Sequence, residues 1–588
     1  MNSDTLIEAK VANIRTLSNE SKLIIPFFQR KYVWTEENWK ELLNSFMKEE
    51  VGFIGSIIAQ RNKNSVGSPE IDIIDGQQRL TTINIFLVAL YDSIKTSEKT
   101  KWKEDLYRIL FTKDNETGDL RQKLEHSQKD RGCYIKIVNE NMEIRQKEKG
   151  SSGIVGCYNF FLSSLNEEEY NDKYKFDKFK SLVNYTDGRN YFVLITLDKN
   201  VDEQSIFDTL NSAGVPLTSA DTIKNALFKR VSDLYKQEFN GNWDSKLNNL
   251  YKENWENIFI DDDSDVYWDS TIITGRIKRS NLEMFLYCFA IIKNMYNAYE
   301  NTISDLSRVF KEKLSSIDSC DEIDQFLHDI KKYARVYRDR FDFNFNNILY
   351  KYEVTLEGVL LRLVHLLNQL ENSTMYPYIL KILVCEVRTD FEKRDQLHKL
   401  EKYIIFNHLN RDTTRIKNYN KMVLTFLNDD KKIDKELEMI GEDYSFSLLK
   451  NISNKMATFY LFWVELFKRN SKLHDTNELR YAYSLEHIMP KKWEKNWDNI
   501  PKFDGFGNPL SEIDAIKFRN DHIQEIGNMT LLKKALNTSI SNASFDNKIE
   551  KLKEYTDLTI TKIDIVDLYE KKGQEEWNEE VIENRSED

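Results

Sequence analysis

The 588-residue chain has few of the residues that punctuate or staple a fold. With 7 prolines and 19 glycines it is poorly supplied for many short strands and tight turns, so helices are expected to dominate. Its 5 cysteines, at positions 133, 157, 288, 320 and 385, form neither a disulfide framework nor a zinc-ligand spacing, which points to a reduced, cytoplasmic setting. No run of about 18 apolar residues is present, so no membrane-spanning helix is expected. The N-terminus has no basic segment leading into an apolar one, so no secretory leader is expected either. Positive charge is also short: 84 Lys and Arg face 96 Asp and Glu, a net charge of −12. That argues against a general nucleic-acid coat protein, although local patches still decide phosphate contact.

What is present suffices for packed cores: 40% of residues are hydrophobic and 31% charged, over a length that implies several domains. Apolar residues recur at helical spacing over 282–296, 356–370 and 376–387. The fold class expected is a predominantly helical, multidomain α+β protein. Its expected parts are an N-terminal domain at 1–235 with a charged helical insertion at 95–153, a helical middle at 236–450, a C-terminal domain at 451–570 and a disordered tail at 571–588.

Histidine is scarce, 8 in all, which makes the setting of His487 conspicuous. It ends the alternating stretch Tyr481-Ala-Tyr-Ser-Leu-Glu-His-Ile-Met-Pro490, read as a strand stopped by proline. Ile526-Gly-Asn-Met-Thr-Leu-Leu-Lys-Lys-Ala-Leu-Asn537 follows, read as strand or turn entering a helix. Hydrolysing a phosphodiester needs a base, a cation and fixed positioning. An imidazole with an ordinary pKa near 6.5 supplies the base. Glu486 and Asn537 offer hard oxygen ligands that suit Mg²⁺ or Mn²⁺ rather than zinc. Taken singly, a Glu-His pair is usually a surface feature and Gly-Asn-x-Thr usually a turn; their order and spacing carry the reading. Lys491, Lys492 and Lys495, interleaved with Trp493 and Trp497, and Lys533 and Lys534 are candidate phosphate contacts that read equally well as solvated faces. His522, in a polar segment, reads as structural.

A second constellation lies near the other end. Ile71-Asp-Ile-Ile-Asp-Gly-Gln-Gln-Arg-Leu-Thr-Thr-Ile83 reads as a strand, a glycine turn and a helix from Leu80 to about Ser93. Such a turn aims backbone N–H groups at an anion over the helix N-terminus. Gly76 permits close approach, Arg79 suits a bidentate phosphate contact, and Asp75 suits a ribose hydroxyl or Mg²⁺. Upstream, Gln29 and Arg30 sit in Pro26-Phe-Phe-Gln-Arg-Lys-Tyr-Val-Trp34; downstream lies Ile206–Asn225 with Asn211 and Asp221. No Walker-type loop is present, so this is a different nucleotide pocket. The Asp-Gly turn and the Thr218 cap also have ordinary structural explanations.

Both constellations together resemble the GmrSD-type, modification-dependent (type IV) restriction enzymes. The resemblance covers roughly residues 20–230 and 455–555, with a faint echo near 411–419. It implies a ParB/sulfiredoxin-like N-terminal domain binding GTP or ATP at Asp75, Gly76, Gln77, Gln78 and Arg79 with Gln29 and Arg30. Residues 75–79 contain no cysteine, so sulfiredoxin's reductase chemistry is dropped. It further implies a C-terminal His-Me finger (HNH-like, ββα-metal) nuclease. There His487 is the general base, Asn528 holds the loop or orients the histidine, Glu486 and Asn537 bind Mg²⁺ or Mn²⁺, and Lys548, in Phe545-Asp-Asn-Lys548, contacts phosphate. Such fingers often carry aspartate where Glu486 stands. The expected function is a nucleotide- and metal-dependent endonuclease with NTPase activity, cutting modified phage DNA in a prokaryotic cytoplasm. The helical middle would couple the two ends or form a homodimer interface. Two other classes use the same motifs: an RNA-cutting abortive-infection effector, and a nucleotide-switched binding protein with a degenerate nuclease.

Overall fold

The computed structural model describes residues 7–588 except 15, 17–21, 27, 30, 48–52, 62–69, 114–118, 127, 140–141, 146–149, 151, 168, 184–188, 198–217, 240–243, 261–263, 275–276, 344, 346, 410–418, 442–451, 471–475, 498, 505 and 573–575. Arg30, Asn211 and most of 411–419 thus lie outside the described residues. The chain divides into two compact units, Met1–Tyr251 and Lys252–Asp588, and is multidomain, mostly helical and α+β. Among the described residues no helix is long and apolar enough to cross a membrane.

The N-terminal unit is built on one mixed sheet. Its strands are β1 (Ile7–Ala12), β2 (Lys22–Ile24), β3 (Ser56–Arg61), β4 (Glu70–Asp75), β5 (Leu124–Glu125) and β6 (Phe192–Leu197), in the order β1-β6-β3-β4-β2-β5. Side chains of β3 alternate between two faces. Ile57 and Ala59 enter the large core shared with the helices, while Ile58 joins Ile195 and Leu197 in a small cluster. Packed in that large core are α1 (Glu36–Met47), α2 (Gln77–Ser93) and α3 (Gly153–Leu165). Apolar residues surround α2 on all sides, and 16 of its 17 residues are buried, as a helix without a polar face requires. It starts at Gln77 rather than at the expected Leu80. Gly76 takes φ of 95°, which turns β4 directly into the helix, and a Cβ there would lie 2.9 Å from Ile57 Cγ1. The unit's later helix α4 (Ser219–Glu238) is capped by the Thr218 hydroxyl, which accepts from Asp221 N.

Residues 95–153 are not the helical insertion expected. Besides helices they supply β5, which pairs in parallel with β2 inside the main sheet. Leu106, Ile109, Leu110, Leu124, Tyr134, Ile137 and Val138 belong to the same core as α2. Arg145 closes a buried bidentate pair on Asp92, at 2.8 and 2.7 Å. The high charge of the segment hid an apolar periodicity that the sheet edge and α2 use.

In the second unit the three apolar stretches form α5 (Asn281–Ile292), α6 (Leu356–Gln369) and α7 (Tyr376–Val384). Ser280 and Glu283 make a capping box on α5, and Thr355 caps α6. Arg362 of α6 forms a buried pair with Glu401 of α8 (Asp390–Leu409), at 2.5 and 2.9 Å. A later helix, α9 (Asn454–Arg469), packs against a short two-stranded ribbon of β7 (Ser484–His487) and β8 (Met529–Leu532), whose connection contains α10 (Glu512–Ile523). After β8 come α11 (Lys534–Ile540), α12 (Phe545–Tyr555) and α13 (Glu579–Glu587). The last of these overturns the expected disordered tail. Trp577, Val581 and Ile582 are buried in one core with Ile488, Met489, Leu532 and Ile549, so the charged residues of Glu579–Glu587 belong to an amphipathic helix.

Burial also sets a pH dependence. His126, buried at 7% exposure, has Nε2 2.8 Å from Thr81 Oγ1, and desolvation pushes its pKa down to about 4. Asp130 lies 3.9 Å from Nδ1, too far to offset burial. Between that value and the ordinary 6.5, the unfolded chain carries a proton that the folded one does not. Stability therefore falls as pH drops through this window, by about 2 kcal/mol at pH 5 for this group. Thermal denaturation of wild type and His126→Asn is expected to show a smaller loss of melting temperature between pH 7 and pH 5 in the variant. Equal losses would remove His126 as a source of the acid sensitivity.

Candidate functional site

The β7–β8 ribbon followed by α11 forms a strand–strand–helix unit, with Glu486 opposite Thr530 and His487 opposite Met529. His487 is the last residue of β7, where regular alternation ends. Its Nε2 is buried and has no hydrogen-bond partner. Burial first, then the positive charges of Lys491 and Lys548, push its pKa down to about 4. The imidazole is thus neutral at cellular pH.

Asn528 supports that strand end. It is 0% exposed. Its Oδ1 accepts from Met489 N at 2.8 Å and Trp577 Nε1 at 3.1 Å; its Nδ2 donates to Met489 O at 2.9 Å and Ile523 O at 3.1 Å. One side chain therefore ties together the exit of β7, the end of α10 and the approach to α13. Both ends of the amide are thus bonded to protein.

Asn537 sits on α11, where Nδ2 donates to Ser484 Oγ and Leu485 O, both at 2.9 Å. Because a carbonyl only accepts, this fixes which end of the amide faces β7, and Oδ1 is the end turned away. Ser484 and Glu486 share a face of the strand, so the Asn537 amide lies on the Glu486 side. Glu486 is 7% exposed, and its Oε1 lies 2.5 Å from Lys548 Nζ. Burial pushes the carboxyl up, opposed by Lys548, and pushes the ammonium down, opposed by Glu486.

Lys548 itself requires a correction. Expected at the phosphate, it is 0% exposed on α12, with Nζ also donating to His487 O at 2.8 Å. It braces the strand from inside and has no route to a nucleic-acid backbone in this arrangement. Trp493 and Trp497 are likewise core residues, their indole N–H groups donating to Asn520 Oδ1 and Ala543 O. Lys491, Lys492, Lys495, Lys533 and Lys534 are exposed. His522 is structural: it is buried, with Nδ1 2.8 Å from Phe518 O.

A divalent cation fits the donors modestly. Among the described residues no three His, Cys, Asp or Glu side chains gather as a metal cluster. Glu486 and Asn537 carry hard oxygen donors on one face of β7 and on the helix that follows the ribbon. A site with two protein ligands leaves the rest of the shell to water and phosphate, as Mg²⁺ tolerates.

In the N-terminal unit, Gly76 follows β4 and the N-terminus of α2 has no side-chain cap; the N-terminal end of a helix is where an anion is favoured. Gln29 lies close by. Its Nε2 donates to Ile74 O, and its Oε1 accepts from Asn225 Nδ2, both at 3.4 Å. The second and third sequence blocks thus meet beside the turn, and Asn225 Oδ1 is buried without a partner. Arg79 is only 7% exposed; its Nη1 donates to Ser56 O at 2.6 Å and lies 3.4 Å from Asp75 Oδ2. It lies so close over Gly55 that a Cβ there would be 2.8 Å from Nε. Gln77 and Gln78 are buried. Gln78 accepts from Val33 N at 2.9 Å and donates to Lys31 O at 3.1 Å, which clamps Lys31–Val33 to the helix. Asp221, singled out with the third block, serves the Thr218 cap and lies 3.4 Å from Lys224.

The residues that sequence reasoning missed are in α13. Arg585 donates to Gly527 O at 2.6 Å, Met529 O at 2.8 Å and Ile560 O at 3.1 Å; Ser586 Oγ accepts from Gly527 N at 3.0 Å. Gly527 is required there, since a Cβ would meet Ile582 O at 2.0 Å. The available signal was apolar Trp577, Val581 and Ile582 at helical spacing within a charged tail.

Comparison with known proteins gives two family matches. The N-terminal domain of the GmrSD restriction endonuclease matches residues 13–228, and the C-terminal domain of GmrSD restriction endonucleases matches residues 428–588. An uncharacterized protein of Methanocaldococcus jannaschii is 21% identical over 258 residues, 38% of this chain and 42% of that protein. The match therefore spans under half the length of that relative.

The Asn528 network has a measurable consequence. Asn528→Ala leaves Met489 N and O, Ile523 O and the Trp577 indole without their partner, at about 1–3 kcal/mol for each buried group stranded. Denaturant unfolding is expected to show a loss of about 3 kcal/mol or more for the unit that carries it. A variant as stable as wild type would mean that the loop is held by other contacts.

Proposed function

The chain belongs to the GmrSD restriction endonuclease family, and on that basis we propose that it is a metal-dependent DNA endonuclease gated by a nucleotide and directed at phage DNA carrying modified bases or backbone. The observation that carries the proposal is the His487 ring nitrogen, unpartnered at the end of a strand–strand–helix unit inside the matched C-terminal domain. The order of strand, strand and helix supports a His-Me finger assignment. His487 accepts the proton of the attacking water, which its neutral state permits. Asn528 holds the strand end that aims the ring. Glu486 and Asn537 hold a Mg²⁺ or Mn²⁺, whose chemistry is to neutralise charge on the scissile phosphate and the leaving oxygen. Exposed Lys491, Lys492, Lys495, Lys533 and Lys534 supply local phosphate attraction within an acidic chain.

In the N-terminal unit, which we assign to a ParB/sulfiredoxin-like fold, GTP or ATP binds over the Gly76 turn. Asp75 and Arg79 stand at its edge, and Gln29 with Asn225 closes the side. NTPase activity, the coupling of nucleotide state to cutting, and dimerisation through the helical region belong to the same proposal.

Purified protein with Mg²⁺ or Mn²⁺ is expected to cut modified phage DNA, and His487→Ala is expected to lose about 10²–10⁴-fold in rate while melting as wild type does. Wild-type rates in the alanine variant would remove His487 from the chemistry. Parallel reactions with unmodified DNA and RNA separate the restriction reading from an RNA-cutting effector.

Nucleotide binding is tested independently by calorimetric titration of GTP and ATP. Arg79→Ala is expected to weaken the bound nucleotide by about ten- to a hundredfold, the equivalent of roughly 1.5–3 kcal/mol for a charge-assisted pair. A wild type that binds neither nucleotide would make the N-terminal unit a recognition or scaffolding module.

A further inference from the structure

Lys548 is the most fully buried charged group beside the site, and nothing in a phosphate-contact role explains its position. Its ammonium lies 2.5 Å from Glu486 Oε1 and 2.8 Å from the His487 carbonyl oxygen, so it grips two successive residues of β7 from the core side. Burying such a pair rarely adds net stability, because desolvation offsets the attraction; well-packed apolar residues of the same volume do as well or better. Its presence is better accounted for by what it does to Glu486. A carboxylate has about four lone-pair sites. The lysine contact occupies one of them and the His487 backbone N–H another, so the carboxylate is held in place with acceptor capacity to spare. The same contact with the His487 carbonyl anchors the backbone from which the imidazole projects.

We propose that Lys548 is a positioning residue, which holds Glu486 in the orientation that receives a divalent cation and fixes the β7 end that carries His487. The inference rests on the nuclease reading given above and assigns the lysine a task within it. Partners that orient a ligand from behind typically contribute 10–100-fold to metal affinity. An ammonium bonded to both the ligand carboxylate and the backbone of the next residue has the geometry for that.

The test is Mn²⁺ binding by calorimetry, with thermal melting of each protein measured alongside. Lys548→Met and Lys548→Gln are expected to bind Mn²⁺ about 10–100-fold more weakly than wild type, the glutamine variant retaining a donor for Glu486 that favours folding. Lys548→Arg, which keeps the charge, is expected to recover at least half of that loss on a logarithmic scale. Wild-type Mn²⁺ affinity in either folded neutral variant overturns the proposal, as does an arginine variant that is folded and as weak as methionine. Failure of both neutral variants to fold makes the lysine a structural residue and overturns it equally. A wild-type protein that binds no Mn²⁺ sinks the metal reading itself. That result is seen before any variant is made, and so is distinguished from failure of the lysine's role.

Discussion

The Asn528 side chain is the contact on which the C-terminal site depends. Four buried hydrogen bonds leave it, reaching Met489 twice, Ile523 and Trp577. A two-stranded ribbon with 4 residues in each strand is marginal by itself, so β7 and β8 need ties beyond their own ladder. Asn528 provides one from the turn entering β8, and Arg585 and Ser586 provide others through Gly527 and Met529. Because each partner is buried, the arrangement is satisfied as a whole or costly in part. The position of His487 is therefore a property of the network rather than of its own strand.

The N-terminal unit solves a comparable problem with Gln78. Its amide holds both the carbonyl of Lys31 and the N–H of Val33, fixing an irregular segment against a helix that is itself enclosed in apolar side chains. Tyr32, between those two residues, carries the connection inward. Its hydroxyl meets Thr82 Oγ1 at 2.5 Å and accepts from Trp39 Nε1 at 2.9 Å. The aromatic and glutamine residues of the two motifs are thus mutual supports.

Much of this was legible in the residue pattern, for identifiable reasons. The strand ending at His487, the apolar helix beyond Gly76 and the three apolar helices of the second unit follow from local periodicity. Asn528 is singled out by the family resemblance, which implies that it holds the loop or orients the histidine; its four hydrogen bonds are long-range contacts that local pattern does not reveal. Lys548 was misplaced because a lysine near a phosphodiester-cutting motif suggests solvent and phosphate, whereas its partner Glu486 is 62 positions away in the sequence. Disorder is what the tail's composition suggests, because its charge outweighs three apolar residues whose partners lie on remote elements. Residues 95–153 were taken for an insertion because β5 has only 2 residues, too short a stretch to announce a strand, though it completes a sheet edge.

The ribbon's dependence on α9 has a consequence for how this activity is portable between proteins. Glu465 of α9 accepts from Thr559 N at 2.9 Å and Ile560 N at 2.8 Å, and Thr561 pairs with Thr530 of β8 at 2.7 Å. The histidine motif and the helix after it are therefore not a self-sufficient cassette. The smallest piece that can be grafted onto another scaffold, or exchanged between genes by recombination, begins no later than Ser453, the cap of α9. A crossover falling between that helix and β7 would deliver the histidine motif with Asn528 and Arg585 but without the α9 surface against which the ribbon packs.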